Sequence, residues 1–79
     1  MPFFVYILLS HKTAKYYCGQ TDNLEMRLLR HNNGEVKSTK HAVPWSLVKS
    51  IEVSSRIESM RLEKQIKGRG IRRWLLENY

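Results

Sequence analysis

Residues 3–9 read Phe3-Phe4-Val5-Tyr6-Ile7-Leu8-Leu9, and residues 16–20 read Tyr16-Tyr17-Cys18-Gly19-Gln20, with polar Ser10, His11, Lys12 and Thr13 opening the gap between them. The first run is apolar or aromatic at every position, a pattern that fits a strand covered on both faces and placed centrally in a sheet. The second resumes an aromatic strand pattern, so the two runs read as a β-hairpin. Pairing parity then governs the tyrosines. With an even number of connecting residues and no bulge, Tyr6 and Tyr17 leave the same sheet face; an odd number separates them.

Working outward, Asp22 followed by Glu25 has capping-box spacing and Gly34 supplies a left-handed stop, which predicts a helix over 23–33. Leu24 and Leu28 form its buried seam. Arg27 and His31 stand one turn apart beside that seam, at the border between core and solvent. Gly34 to Val43 reads as a loop or short irregular helix, and Pro44 and Trp45 open an extended run over 46–53, in which Leu47, Val48 and Ile51 complete a three-stranded sheet. Ser55 and Glu58 repeat the capping-box spacing ahead of a helix over 56–67, with Ile57, Met60, Leu62 and Ile66 on its apolar side and Glu63 at the margin. Gly68 and Gly70 break the pattern, and Ile71, Trp74 and Leu75 suggest a short last helix packed on the sheet. The expected fold is α+β: a small three-stranded antiparallel sheet with flanking helices in the order β-β-α-β-α-α.

Composition narrows the function. Seventy-nine residues make one expected domain, 1–79, and a chain of that size buries only about 60% of its unfolded surface. Fourteen Lys and Arg against seven Asp and Glu leave a net charge of +7, which favours polyanions, nucleic acid first among them. The single cysteine, Cys18, cannot form an internal disulfide and reads as a small buried residue, so a reducing, cytoplasmic setting is expected. The apolar run at 3–9 is too short to span a membrane. Three histidines without ligand spacing and one cysteine argue against a structural zinc site, and no Ser/His/Asp or Cys/His set stands out. Trp45 and Trp74 read as core, while Arg69, Arg72 and Arg73 could grip a phosphate backbone, with a solvated charged face around Trp74 the equal or better reading.

Phe4-Val5-Tyr6 and Tyr17-Cys18-Gly19, with Arg27, His31 and Glu63 downstream, resemble the motif set of the GIY-YIG nuclease family over nearly the whole chain. Thr21-Asp22-Asn23-Leu24, His31-Asn32-Asn33-Gly34, Pro44-Trp45 and Ser55-Arg56-Ile57-Glu58 add local matches. The likeness is to small single-domain members similar to the amino-terminal nuclease domain of the bacterial excision-repair incision subunit. Phe4 stands for glycine, Val5 and Cys18 for the isoleucines, and Ser59 for a common alanine; both tyrosines and Gly19 are kept. The late asparagine of some members is not carried over to Asn78.

The resemblance implies a divalent-metal-dependent endonuclease acting on DNA, including DNA repair intermediates, with low sequence specificity. Tyr6, Tyr17, Arg27, His31 and Glu63 are the implied catalytic set. Glu63 would hold one Mg²⁺ or Mn²⁺, Arg27 a non-bridging phosphate oxygen, and Tyr6 would be the general base, with His31 relaying a proton or orienting water and Tyr17 hydrogen-bonding nucleophile or phosphate. Arg30, Lys37, Lys40, Lys64 and Lys67 would track the backbone of structured or branched DNA. RNA is the second nucleic acid that fits, and a protein partner could supply specificity. The alternative is a non-catalytic DNA- or RNA-binding module on the same scaffold. Taken singly, the tyrosines read as sheet aromatics, Arg27 as a solvated residue, His31 as a helix cap and Glu63 as the partner of Lys67.

Overall fold

The computed structural model describes residues 2–78. Strand β1 is Phe3–Ser10, β2 Tyr16–Thr21 and β3 Trp45–Val53; helix α1 is Leu24–Asn32, α2 Arg56–Arg69 and α3 Ile71–Asn78, with a 3-10 turn at Lys40–Ala42. The sheet is antiparallel in the order β2-β1-β3, so the all-apolar run is central as its composition requires. This is the expected α+β fold with its β-β-α-β-α-α order.

The first hairpin pairs Leu9 with Tyr16 and continues in register through Leu8 with Tyr17 and Tyr6 with Gly19. An even number of residues, 10–15, lies between the first pair, so Tyr6 and Tyr17 share a face. Buried Ser10 organises the turn: its hydroxyl accepts from Lys12 N and Thr13 N and donates to the Ala42 carbonyl at 2.6 Å. In the β1–β3 ladder the register slips by one residue between Ile7 and Leu8, a bulge that leaves the β1–β2 parity untouched.

The two faces of the sheet bury separate cores. Val5, Ile7 and Cys18 pack beneath Ile66, Trp74 and Leu75 of α2 and α3. Tyr6, Leu8, Ala42 and Trp45 pack on the other face with Tyr17, Leu24 and Leu28. Both tryptophans and Cys18 are core residues, as expected. Among the described residues no helix is long and apolar enough to cross a membrane.

Several local expectations need correction. The cap of α1 is Asn23, not Asp22: Asn23 is extended, and its side chain accepts from Met26 N at 3.1 Å. Ser55 caps α2 as expected, but Glu58 reaches back to Ser54 rather than closing the box on Ser55. Helix α2 runs through Gly68 to Arg69, because Gly68 keeps helical geometry and the break falls on Gly70, whose φ is +96°. Ile57 and Met60 are more than half exposed, since the row Ser59, Leu62 and Ile66 faces the sheet instead. The small Ser59 lets α2 approach β2, and its hydroxyl lies 2.5 Å from Gln20 Oε1. At the end of α1, Gly34 takes the expected left-handed conformation with φ +75°.

Candidate active site

Tyr6 reaches the site because Gly19 has no side chain. The two residues are paired across β1 and β2, and a β-carbon at 19 would lie 2.6 Å from the Tyr6 hydroxyl and 2.7 Å from Cζ. The phenol therefore crosses β2, an edge strand, toward α1.

There its oxygen meets two α1 side chains. Tyr6 Oη lies 2.8 Å from His31 Nε2, and Arg27 Nε donates to Oη at 3.3 Å. His31 Nδ1 lies 2.7 Å from Thr39 Oγ1, whose hydroxyl faces the Val36 carbonyl at 3.4 Å. The tautomer follows from the direction of the Thr39 hydroxyl. If Thr39 donates to Val36, it accepts from Nδ1–H, which leaves Nε2 as the acceptor for the Tyr6 proton. Arg27, Tyr6, His31 and Thr39 thus form one directional chain of hydrogen bonds, each polarising the next.

His31 is fully buried, which corrects the expectation that it sits at the solvent border. The Thr39 segment closes over it, and Tyr17 covers it with ring centroids 5.1 Å apart. Burial, assisted by the nearby Arg27 charge, lowers its pKa to about 4, so the imidazole is neutral at physiological pH. The reading of His31 as a charged helix cap is accordingly excluded. Burial raises the Tyr6 pKa, against the opposing hydrogen bond from Arg27, with smaller upward pushes from the charges of Tyr17 and Glu63. Arg27 is held more firmly protonated, chiefly by Tyr6. Cys18 faces the opposite core; burial pushes its thiol up to about 11, which makes it inert.

Glu63 stands apart from this cluster on α2. Its Oε2 accepts from Lys67 Nζ at 2.6 Å, the helical pairing anticipated from their spacing, and its charge reaches Tyr6 only as the smallest influence on the phenol. Glu63, Lys64 and Lys67 line one hollow with Gln20, while Arg27 and Arg30 line a neighbouring hollow that shares Gln20. The structure thus joins Tyr6, Tyr17, Arg27 and His31 directly, while Glu63 lines a separate hollow together with Gln20. Lys37 and Lys40 are exposed in the segment after α1. Asn78 donates to the Trp74 carbonyl within α3, and Arg69 pairs with Glu77.

One carboxylate is a sparse donor set. No group of three metal-ligating side chains occurs among the described residues. The arrangement nevertheless suits Mg²⁺ or Mn²⁺ chemistry, in which one carboxylate is completed by substrate oxygens and water, provided Lys67 gives way. Thr39 touches His31, and Gln20 and Arg56 line the hollow beside Arg27; nothing in their spacing announces them, since Thr39 follows His31 through a non-periodic segment and Arg56 looks like any residue that opens a helix.

Comparisons with known proteins supply the family and the fold. A profile of the GIY-YIG catalytic domain matches residues 2–73. The chain is 38% identical over 73 residues to the UPF0213 protein YsiG of Lactococcus lactis, covering 90% of this chain and 68% of that protein. It is 37% identical over 65 residues to a UPF0213 protein of Nitratidesulfovibrio vulgaris, covering 81% and 58%. A solution NMR structure of a UPF0213 protein from Bacillus halodurans superposes with a TM-score of 0.60 at 31% identity, covering 96% of this chain and 81% of that one. The chain spans between 58% and 68% of the length of the curated relatives it matches. Motif residues, sheet order and matched span converge, and the chain belongs to the GIY-YIG nuclease family.

Proposed function

We propose that the protein is an endonuclease that hydrolyses phosphodiester bonds in DNA with low sequence specificity, and that a divalent cation at Glu63 takes part. The observation that carries this reading is the placement of Tyr6 Oη between a neutral imidazole nitrogen and a guanidinium. A phenol needs such neighbours to move a proton. As Oη accepts a proton from an attacking water, its own proton passes to His31 Nε2, Arg27 offsets the charge that develops on the oxygen, and Thr39 holds the imidazole in the receptive tautomer. Approach of a phosphate also favours protonated His31, because the anion opposes the burial that keeps the ring neutral.

Arg27 would bind a non-bridging oxygen and gain strength in the transition state, a contribution of about 3 kcal/mol if it behaves as other preorganised donors do. Tyr17 on the same face would hydrogen-bond the phosphate or water. Mg²⁺ or Mn²⁺ held by Glu63 would supply charge stabilisation on the leaving oxygen. Arg30, Lys37, Lys40 and Lys64 offer exposed charge for the backbone, with Lys67 joining them once released from Glu63. Structured or branched DNA is the favoured substrate class, since so small a domain offers little surface for base-edge readout.

A non-catalytic DNA- or RNA-binding module is the second reading, favoured by one observation: Lys67 already neutralises Glu63. Incubation with branched, nicked and single-stranded DNA and Mg²⁺ or Mn²⁺ decides between them. Cutting that disappears in Glu63→Gln supports the nuclease; salt-sensitive binding without cutting, indifferent to that substitution, supports the module.

A further inference from the structure

Arg27, Arg30 and Arg56 line one polar hollow of about 310 Å³ together with Gln20 and Asp22. Lys67 pairs with Glu63 and Arg69 with Glu77, and among the described residues none of these three guanidiniums forms an ion pair with a carboxylate. Asp22 is the lone acidic lining residue, and the hollow keeps a cationic excess. Arg56 is the telling member. It is the first residue of α2, where the helix dipole disfavours a cation, and its guanidinium is held 5.2 Å over the Phe3 ring. A charge placed against a local rule and fixed in position, with no internal counter-ion, points to an external one.

We propose that this hollow binds a second phosphodiester of the nucleic-acid backbone, next to the one engaged by Arg27, with Arg30 and Arg56 as its ligands. The inference rests on the nuclease reading only in naming nucleic acid as the polyanion. Guanidiniums suit a phosphate diester because their planar fork can meet two oxygens at once. Gln20 is shared with the Glu63 hollow, so a strand lying along both would present successive phosphates to Arg30 and Arg56 and to the side of Arg27 and Glu63. Arg56 thereby sets the register of the backbone over the site.

The test is binding of a fluorescently labelled branched duplex in EDTA, followed by anisotropy across a salt series. Arg56→Gln and Arg30→Gln should each weaken binding about tenfold and lower the slope of log affinity against log salt by about 0.9. Arg56→Lys should restore most of the slope, and Asp22→Asn should tighten binding. Arg72→Gln, which removes the same charge from the exposed face of α3, should leave the slope close to wild type. Wild-type slopes in both Arg30→Gln and Arg56→Gln, or an equal loss in Arg72→Gln, would overturn the proposal. Arg30 lies on the exposed flank of α1, so its variant decides the matter even if Arg56→Gln fails to fold. A chain that binds through Arg30 and Arg56 yet cuts nothing with metal would keep this pocket and sink the nuclease reading alone.

Discussion

Gly19 lies beneath the Tyr6 phenol, so close that its missing side chain is the space the ring occupies. Glycine is needed here for close approach and not for backbone freedom, because Gly19 sits in regular strand pairing. Gly19→Ala must therefore push a ring that is 1% exposed and has packed neighbours on every side. Overpacking of this kind costs about 1–3 kcal/mol, and a phenol moved by about 1 Å loses on the order of a hundredfold in turnover. Urea melts and single-turnover cleavage check both figures; wild-type cutting by Gly19→Ala would show that the position of Oη does not matter.

Tyr6→Phe separates the chemistry from the packing. The ring stays and only the hydroxyl goes, which leaves His31 Nε2 buried without its partner at a cost of about 1–3 kcal/mol. Loss of a proton-transfer group should reduce turnover by roughly 10²–10⁴ while DNA affinity stays within about twofold. If Tyr6 is merely a sheet aromatic, Phe serves equally well and cleavage is unchanged.

How far the sequence reached is clearest at these same residues. The hairpin and the central strand follow from hydrophobic pattern, a local property, whereas the shared face of Tyr6 and Tyr17 hangs on the parity of the turn, which the pattern leaves open and the pairing of Leu9 with Tyr16 decides. The gathering of Arg27 and His31 follows from helical spacing. The full burial of His31 does not, because it depends on Thr39 and the 34–43 segment folding over it, and that segment has no periodicity to read. Ile57 and Met60 mislead for a related reason. Apolar residues mark the buried face of a helix only when packing selects them, and here the small Ser59, through its contact with Gln20, sets how α2 lies on β2. Arg56 stays hidden because its significance lies in what surrounds it across the fold.

Stability should fall in mild acid through His31. Its folded pKa of about 4 lies below the ordinary 6.5, so the unfolded chain binds the proton first. The contribution is fully present above about pH 6.5 and is lost as pH falls toward 4, amounting to about 3 kcal/mol at most. Glu77, whose pKa is lowered from 4.5 chiefly by Arg69, loses its own contribution only below that value, so the window from 6.5 to 4.5 belongs to the imidazole. Chemical denaturation across pH should show the decline, and His31→Gln should flatten it. An equal slope in the variant would mean that another group titrates there.

Lys67→Met tests whether the ammonium holds the place of a metal ion. The Lys67–Glu63 pair is an exposed helical pair, so breaking it should change stability by less than about 1 kcal/mol. Its larger effect should fall on cation binding. With Lys67 removed, Glu63 no longer has to exchange an internal cation for an external one, and Mn²⁺ affinity without DNA should rise about tenfold, read from the spectrum of free Mn²⁺. Glu63→Gln should abolish that binding in either background. The same Lys67→Met variant should bind DNA more weakly, because the released lysine is then missing from the backbone contacts, and its salt slope should drop by about 0.9. A rise in Mn²⁺ affinity with no change in slope would make Lys67 a lock on Glu63 alone. A drop in slope with unchanged Mn²⁺ affinity would make it a phosphate contact alone, and would remove the physical basis for placing the metal at Glu63.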